Sequence, residues 1–174
     1  MKGLRSIPRV LKINRISGYR ISLLFNNGES RVVDMQHYFA NRASQGHQDL
    51  VDQILGTKEE FESVRVDSHT LSWPGVGISS TDLEGDDVFY AYDIDPLLLY
   101  EASEPDADYN IDLGRKIKTL RLEQGLTQSE LAARSGTSKH YISRLENNKS
   151  DIEFLTLKKI VEAGLDRKLS VSIS

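Results

Sequence analysis

The sequence predicts two folding units of different class: an α+β domain of antiparallel strands with one or two helices, then an all-α domain that ends in a strand. Three observations carry this. Apolar residues alternate with a period of two in much of the first hundred positions, and follow a helical period from Leu113 onward. An acidic stretch with one proline and almost no apolar residue, "EASEPDADYNID" (101–112), lies between the two patterns. Charge divides at the same place: residues 1–110 hold 10 Lys and Arg against 18 Asp and Glu, whereas residues 111–174 hold 12 against 8. The expected organisation is an acidic domain over 1–105 that binds a ligand or partner, a linker over 106–111, and a second domain over 112–174.

In the first domain, "RVLKINRI" (9–16) is a plausible strand. "YRISLLF" (19–25) sets Tyr19, Ile21, Leu23 and Phe25 on one face, and Asn27-Gly28 supplies the positive φ angles of a two-residue hairpin turn. "SRVVDM" (30–35) returns beside it. "QDLVDQIL" (48–55) places Val51, Ile54 and Leu55 on a helical stripe. "FESVRV" (61–66) and "TLSW" (70–73) read as a second strand pair about a turn at Asp67-Ser68. The "WPGVG" stop and the acidic "STDLEGDDVFYAY" (80–92) then lead to a final helix or irregular segment.

Four helices are expected in the second domain. Leu113, Ile117 and Leu120 share a face of the first, which Gly125 stops. Thr127 caps the second, with Glu130 three residues on completing a capping box. Gly136 ends it, and Thr137 or Ser138 caps a third that runs to about Asn147. "FLTLKKIVEAG" (154–164) makes the fourth, with Leu157, Ile160 and Val161 inward and Gly164 as its stop. In the terminal "RKLSVSIS" (167–174), Leu169, Val171 and Ile173 alternate with Ser170, Ser172 and Ser174, the period of a strand with one apolar face. No second strand is evident within 112–168. The partner strand is either in the first domain or, as the symmetry of an isologous contact favours, the same segment of a second molecule.

Composition narrows the function classes. The 174 residues include no cysteine, so disulfide and thiolate chemistry are excluded and a cytoplasmic, nucleoid-associated address is the natural expectation. The basic start, "MKGLRSIPRVLKI", lacks the apolar run of a signal peptide. His37, His47 and His69 are scattered without metal-ligand spacing. "GVG" (75–77) is too short to cradle a phosphate and precedes no helix-opening lysine. Asp86 and Asp87 are adjacent and read as a solvated acidic face, and Trp73-Pro74 reads as a core corner. No enzymatic activity, catalytic residue, metal or cofactor is expected.

The patterned stretch is "LTQSELAARSGTSKHYISRLENNKS" (126–150). Two short helices joined through Gly136 fit a helix-turn-helix, whose second helix lies in the DNA major groove. Leu131 and Ala132 on one helix and Ile142 and Leu145 on the next can form one apolar seam. That leaves Ser138, Lys139, His140, Tyr141, Ser143 and Arg144 on the outer half of the second helix, most of them donors able to reach base edges or phosphates. The net charge of −4 conceals this locally basic module.

At these residues the chain resembles the helix-turn-helix of the lambdoid phage repressor and Cro superfamily, shared by xenobiotic-response-type regulators and antitoxins. The likeness covers about residues 112–168. It implies a compact helical bundle, operator DNA as ligand and a homodimer. Carried over by position, it implies that Gln128 bonds a backbone phosphate and braces the recognition helix, and that Lys139, His140 and Arg144 read bases. It further implies that Ser138 and Tyr141 reach phosphate, sugar or a thymine methyl, and that Asn147 and Lys149 grip the far phosphate chain. Tyr141 could instead pack at the helix edge, and His140 could be a bland exposed residue. Asn148 stands where the family usually has Gly, and Asn tolerates the left-handed region. The resemblance pairs Glu146 with Arg121 as a structural ion pair, and leaves Lys158 and Lys159 to solvent.

In the first domain, the run from "LLFNNGESRVVD" through "FESVRVDSHTLSWPGVGI" resembles a small bacterial family of α+β domains with no assigned activity, which implies architecture and makes a protein partner plausible. The expected function is a dimeric, sequence-specific transcriptional regulator with double-stranded DNA as partner. Its rival is an antitoxin that neutralises a toxin through the first domain and autoregulates through the second. A small-molecule effector at the first domain is a third candidate partner, and no membrane is expected.

Overall fold

The computed structural model describes residues 7–40 and 48–172. Lys2, Arg5, His47 and Ile173-Ser174 lie outside the described residues. The chain divides into two compact units, Met1–Asn110 and Ile111–Ser174.

The first unit contains two antiparallel sheets. β1 (Val10–Ser17), β2 (Arg20–Phe25), β3 (Ser30–Asp34) and the short β7 (Glu104–Pro105) lie in that order, and β4 (Arg65–Asp67), β5 (Thr70–Thr81) and β6 (Asp87–Ile94) form the other sheet. The β2–β3 pairing aligns Ile21 with Val33 and Leu24 with Ser30 across a turn that uses Gly28 at φ 82°. Ile21, Leu23 and Phe25 are fully buried, and Tyr19 packs against the same core, as alternation requires. Helices α1 (Met35–Ala40), α2 (Gln48–Gly56), α3 (Lys58–Glu62) and α4 (Pro96–Ala102) complete the unit. Its core gathers Phe39, Val51, Ile54, Phe61 and Trp73, whose indole Nε1 donates to Phe61 O at 3.2 Å.

Three sequence expectations are corrected. "FESVRV" is not one strand: Thr57 caps α3 by accepting from Glu60 N, Phe61 is buried as a helical residue, and only Arg65–Asp67 is extended. "WPGVG" is not a stop. β5 runs on to Thr81, with a bulge between the Trp73–Tyr92 and Gly77–Ala91 pairs, and residues 87–94 return as β6 before the final helix α4. Residues 106–111 are not simply a linker. β7 pairs with β3, Asp106 N donates to Ser30 O, Ser22 Oγ donates to the buried Asp106 carboxylate, and Ser30 N donates to Asn110 Oδ1 at 2.9 Å. A polar segment covers the second face of β2, where Asn14 also bonds Ser22 and Ser30. Burial would raise the Asp106 carboxyl, but the Ser22 and backbone hydrogen bonds prevail and hold it below the usual carboxylate range.

The second unit is helical: α5 (Leu113–Glu123), α6 (Gln128–Ser135), α7 (Lys139–Glu146) and α8 (Phe154–Lys158), which continues as a π-helical segment over Lys159–Gly164. Ile117, Leu126, Leu131, Ala132, Ile142, Leu145, Ile160 and Leu165 form its core. The terminal strand is not formed among the described residues: 165–172 have no regular structure, Leu169 leans on the core and Val171 is 65% exposed. A lone alternating segment has nothing within the unit to pair its backbone with.

Candidate nucleic-acid interface

Each helix of the interface starts and stops where its own residues dictate. Thr127 and Glu130 form the reciprocal capping box at the head of α6, with Thr127 N donating to Glu130 Oε2 at 2.7 Å and Glu130 N donating to Thr127 Oγ1 at 3.2 Å. Gly136 ends α6 at φ 64°, a left-handed turn that costs glycine little. Ser138, not Thr137, caps α7 by accepting from Tyr141 N at 3.1 Å. The two helices then close on Leu131, Ala132, Ile142 and Leu145, all buried.

A buried polar clamp fixes α7 from behind. Arg121 on α5 donates from Nε to Glu146 Oε1 at 2.6 Å and from Nη2 to Glu146 Oε2 at 2.9 Å, and its Nη1 donates to Leu126 O at 2.6 Å. Gln128 Nε2 donates to the same Glu146 Oε2 at 2.9 Å. The two charged side chains are 8% and 1% exposed. Burial works against the Glu146 carboxylate, but the Arg121 and Gln128 hydrogen bonds and the Arg121 charge outweigh it and hold the carboxyl low. The same bond to Glu146 raises Arg121 above its ordinary value against its desolvation. The bidentate pair thus joins α5 to the end of α7 and, through Gln128, to the first turn of α6.

The outward face is what remains. Lys139, His140 and Arg144 are all exposed: Lys139 and His140 are adjacent, and Arg144 lies one turn beyond His140 along α7. Arg144 is not wholly free: its Nη2 donates to Lys149 O at 2.8 Å, which ties the recognition helix to the loop that follows. Asn147 caps α7 and donates from Nδ2 to Ser143 O at 2.7 Å, and Lys149 is exposed beside it. Asn148 adopts φ 52°, the left-handed conformation a glycine would take, and its Nδ2 donates to Asp112 Oδ1 at 3.0 Å. That bond and the Arg115 backbone N–H hold Asp112 below the carboxylate range.

Two sequence expectations need amendment. Gln128 spends an amide hydrogen on Glu146, so it reaches a phosphate only with its remaining N–H. Tyr141 is partly buried against the core, and its hydroxyl donates to Asp151 O at 3.4 Å. Burial, with the Glu153 and Asp151 charges, raises its phenol. Tyr141 therefore packs at the helix edge in this structure. Two participants escaped sequence reasoning. Asp112 both caps α5 and anchors Asn148, and Gly114 lets α5 approach the end of α7, because a Cβ there would run into Leu145 O and Asn148 Oδ1. The aspartate preceding a helical run was a legible cap; the close approach had no signal in one sequence. In the first unit, Asp82, Glu84 and Asp86 bring their carboxylates together at the β5–β6 turn, where Asp82 also accepts from the Glu84 and Asp86 backbone N–H groups.

Residues 117–163 match the helix-turn-helix family model. The chain is 41% identical over 51 residues to y4dJ of Sinorhizobium fredii, an uncharacterized HTH-type transcriptional regulator, over 29% of this chain and 66% of that protein. Among solved structures, the restriction-modification controller protein C.Esp1396I, crystallised as a tetramer with its natural 35 base-pair operator, is 35% identical over 33% of this chain and 74% of its own, at a TM-score of 0.32. Protein NE0471 of Nitrosomonas europaea is similar over 88% of this chain and 84% of its own, at 14% identity and a TM-score of 0.34.

Proposed function

From the premise that the C-terminal unit holds a helix-turn-helix domain of the lambda repressor and Cro type, we propose that the chain is a sequence-specific transcriptional regulator that binds an operator as a dimer. The observation that carries this reading is the pairing of an exposed Lys139–His140–Arg144 face with a buried clamp behind it. A recognition helix must present donors to base edges without losing their geometry, and a helix held at its end by a bidentate ion pair does so. Lys139, His140 and Arg144 read bases. Ser138, whose hydroxyl hydrogen is left over after capping, contacts the backbone with Gln128, Asn147 and Lys149.

The dimer belongs to the same reading. Leu169, Val171 and Ile173 would pair with their counterparts in a second molecule and set two recognition helices ~34 Å apart, one turn of the duplex. The operator is then palindromic. Selection of bound sequences from random duplex DNA at a fixed ionic strength tests the proposal: recovery of a palindrome supports it, and recovery of no sequence above background ends it. A second reading is that the first unit binds a partner protein, as an antitoxin does. Its support is the excess of 18 acidic over 10 basic residues in 1–110, which suits a basic partner and keeps that unit off phosphate.

A further inference from the structure

The second sheet of the first unit ends in a strand with an open edge. β6 pairs with β5 alone, and β4 reaches only the Thr70–Ser72 end of β5, so among the described residues the outer hairpin, Gly77–Thr81 against Asp87–Ala91, carries no third strand. Successive strand residues point to opposite faces, yet Phe89 and Tyr90 are 50% and 53% exposed and Ile78 is 58% exposed. The arm is uncovered on both faces. Its outer strand reads "VFYAY" (88–92), in which four of five residues have high strand preference and none is charged or proline.

Such an edge invites another chain, and proteins usually block it with lysine, proline or a bulge. Neither lysine nor proline lies within 88–92, and the bulge falls in β5 opposite Ala91–Tyr92, so the register is regular from Gly77–Ala91 to Thr81–Asp87. The ribbon is also held in shape. A Cβ at Gly77 would meet Tyr90 O and the Phe89 ring, so the strands meet closely where the aromatic covers the glycine. Beside β6 a depression of about 350 Å³, bounded by Tyr38, Leu50, Tyr90 and Leu98, has room for an apolar side chain. Carboxylates flank the run at both ends: Asp86 and Asp87 before it, Asp93 and Asp95 after it.

We infer that the free edge of β6 is a strand-addition site for an extended, basic segment of a partner protein, with apolar residues at alternate positions and Lys or Arg at its ends. Backbone bonds supply the docking and alternate side chains the choice of partner. Charge decides the occupant. Two copies of this edge would set Asp87 against Asp93 in antiparallel pairing, or Asp87 against Asp87 in parallel pairing, and like charges directly opposite are unfavourable. DNA is repelled by the same groups. The inference rests on the partner-protein reading of the first unit and is independent of operator binding.

The test pans the full chain against a phage-displayed library of random twelve-residue peptides and synthesises the most enriched one. Expected are enriched peptides that alternate apolar residues and carry terminal Lys or Arg, and slowed amide exchange within 87–94 when the synthetic peptide binds. Only alternate N–H groups of an added strand face its host, so methylating one alternating set of peptide nitrogens should cost about tenfold or more in affinity, and methylating the other set little. Joint Asp87→Lys and Asp93→Lys reversal should also weaken binding about tenfold or more. The methylation arm uses the unaltered chain and so stands even if that double variant folds poorly. Equal tolerance of both methylated sets, or enrichment of acidic peptides, overturns the inference. Protection elsewhere in 7–110 overturns it while leaving a partner-binding first unit. Failure to enrich any peptide removes both.

Discussion

Truncating Glu146 leaves the Arg121 guanidinium buried, with only the Leu126 carbonyl as partner. Glu146→Ala should therefore destabilise the second unit by ~3–5 kcal/mol, well beyond the ~0–1 kcal/mol of an exposed pair, as denaturant unfolding will measure. The pH dependence follows from the lowered carboxyl. Unfolded, Glu146 returns to about 4.3, so its contribution is complete above that value and is lost as pH falls through the lower folded value. Glu146→Gln should flatten that acid limb, and a variant whose unfolding midpoint falls with acid as steeply as the parent's would contradict the linkage. On the outer face, Arg144→Ala should relax preference at one base position and cost ~1–3 kcal/mol, read by competition between operator variants. Lys149→Ala should weaken all sequences alike and reduce the salt slope by about one. The Arg144 contact to Lys149 O complicates this separation in a measurable way, because losing Arg144 also frees the loop. Residue identities on α7 were legible because the motif occupies fixed positions. Their internal partners were not, since one sequence does not say that Gln128 turns toward Glu146 or Tyr141 toward Asp151.

At the scale of elements, the second unit could be read closely because its local signals agree. Apolar period, capping box and left-handed stop at Gly136 all favour the same boundaries. The first unit mixes its signals. Glu59 and Glu60 behind the Thr57 cap start a helix that runs into what reads as a strand, and the acids around Gly85 hide a hairpin turn whose strands pair through backbone. Asp106 misleads most. A carboxylate in a polar run looks solvated, yet here it takes a core position because Ser22 and the backbone around Asp108 satisfy it. The α5–α7 contact yields a prediction at this scale. Gly114→Ala places a methyl against the Leu145 carbonyl, backbone that cannot yield alone, so α5 must shift. A loss of ~1–3 kcal/mol in stability is expected, with weaker operator binding, since the displaced helix carries Arg121. Thermal unfolding beside a DNA titration will show whether the two move together.

For the whole molecule, the proposed dimer gives a direct test. Deleting residues 169–174 should convert a dimer to a monomer by mass in solution, and a truncated chain as dimeric as its parent would place the interface elsewhere. Among the described residues no helix is long and apolar enough to cross a membrane. The single tryptophan has a further use. Trp73 is fully buried in the first unit, wedged among Phe39, Phe61 and Tyr92, and the second unit has none. Its emission is thus an optical address for one half of the chain. Unfolding followed by fluorescence will report the first unit, while far-ultraviolet dichroism, to which the helices of both units contribute, will report the whole chain. Non-coincident curves would mean that each half keeps its own stability, and a single DNA titration could then be checked for whether the indole of the first unit notices that the operator has arrived.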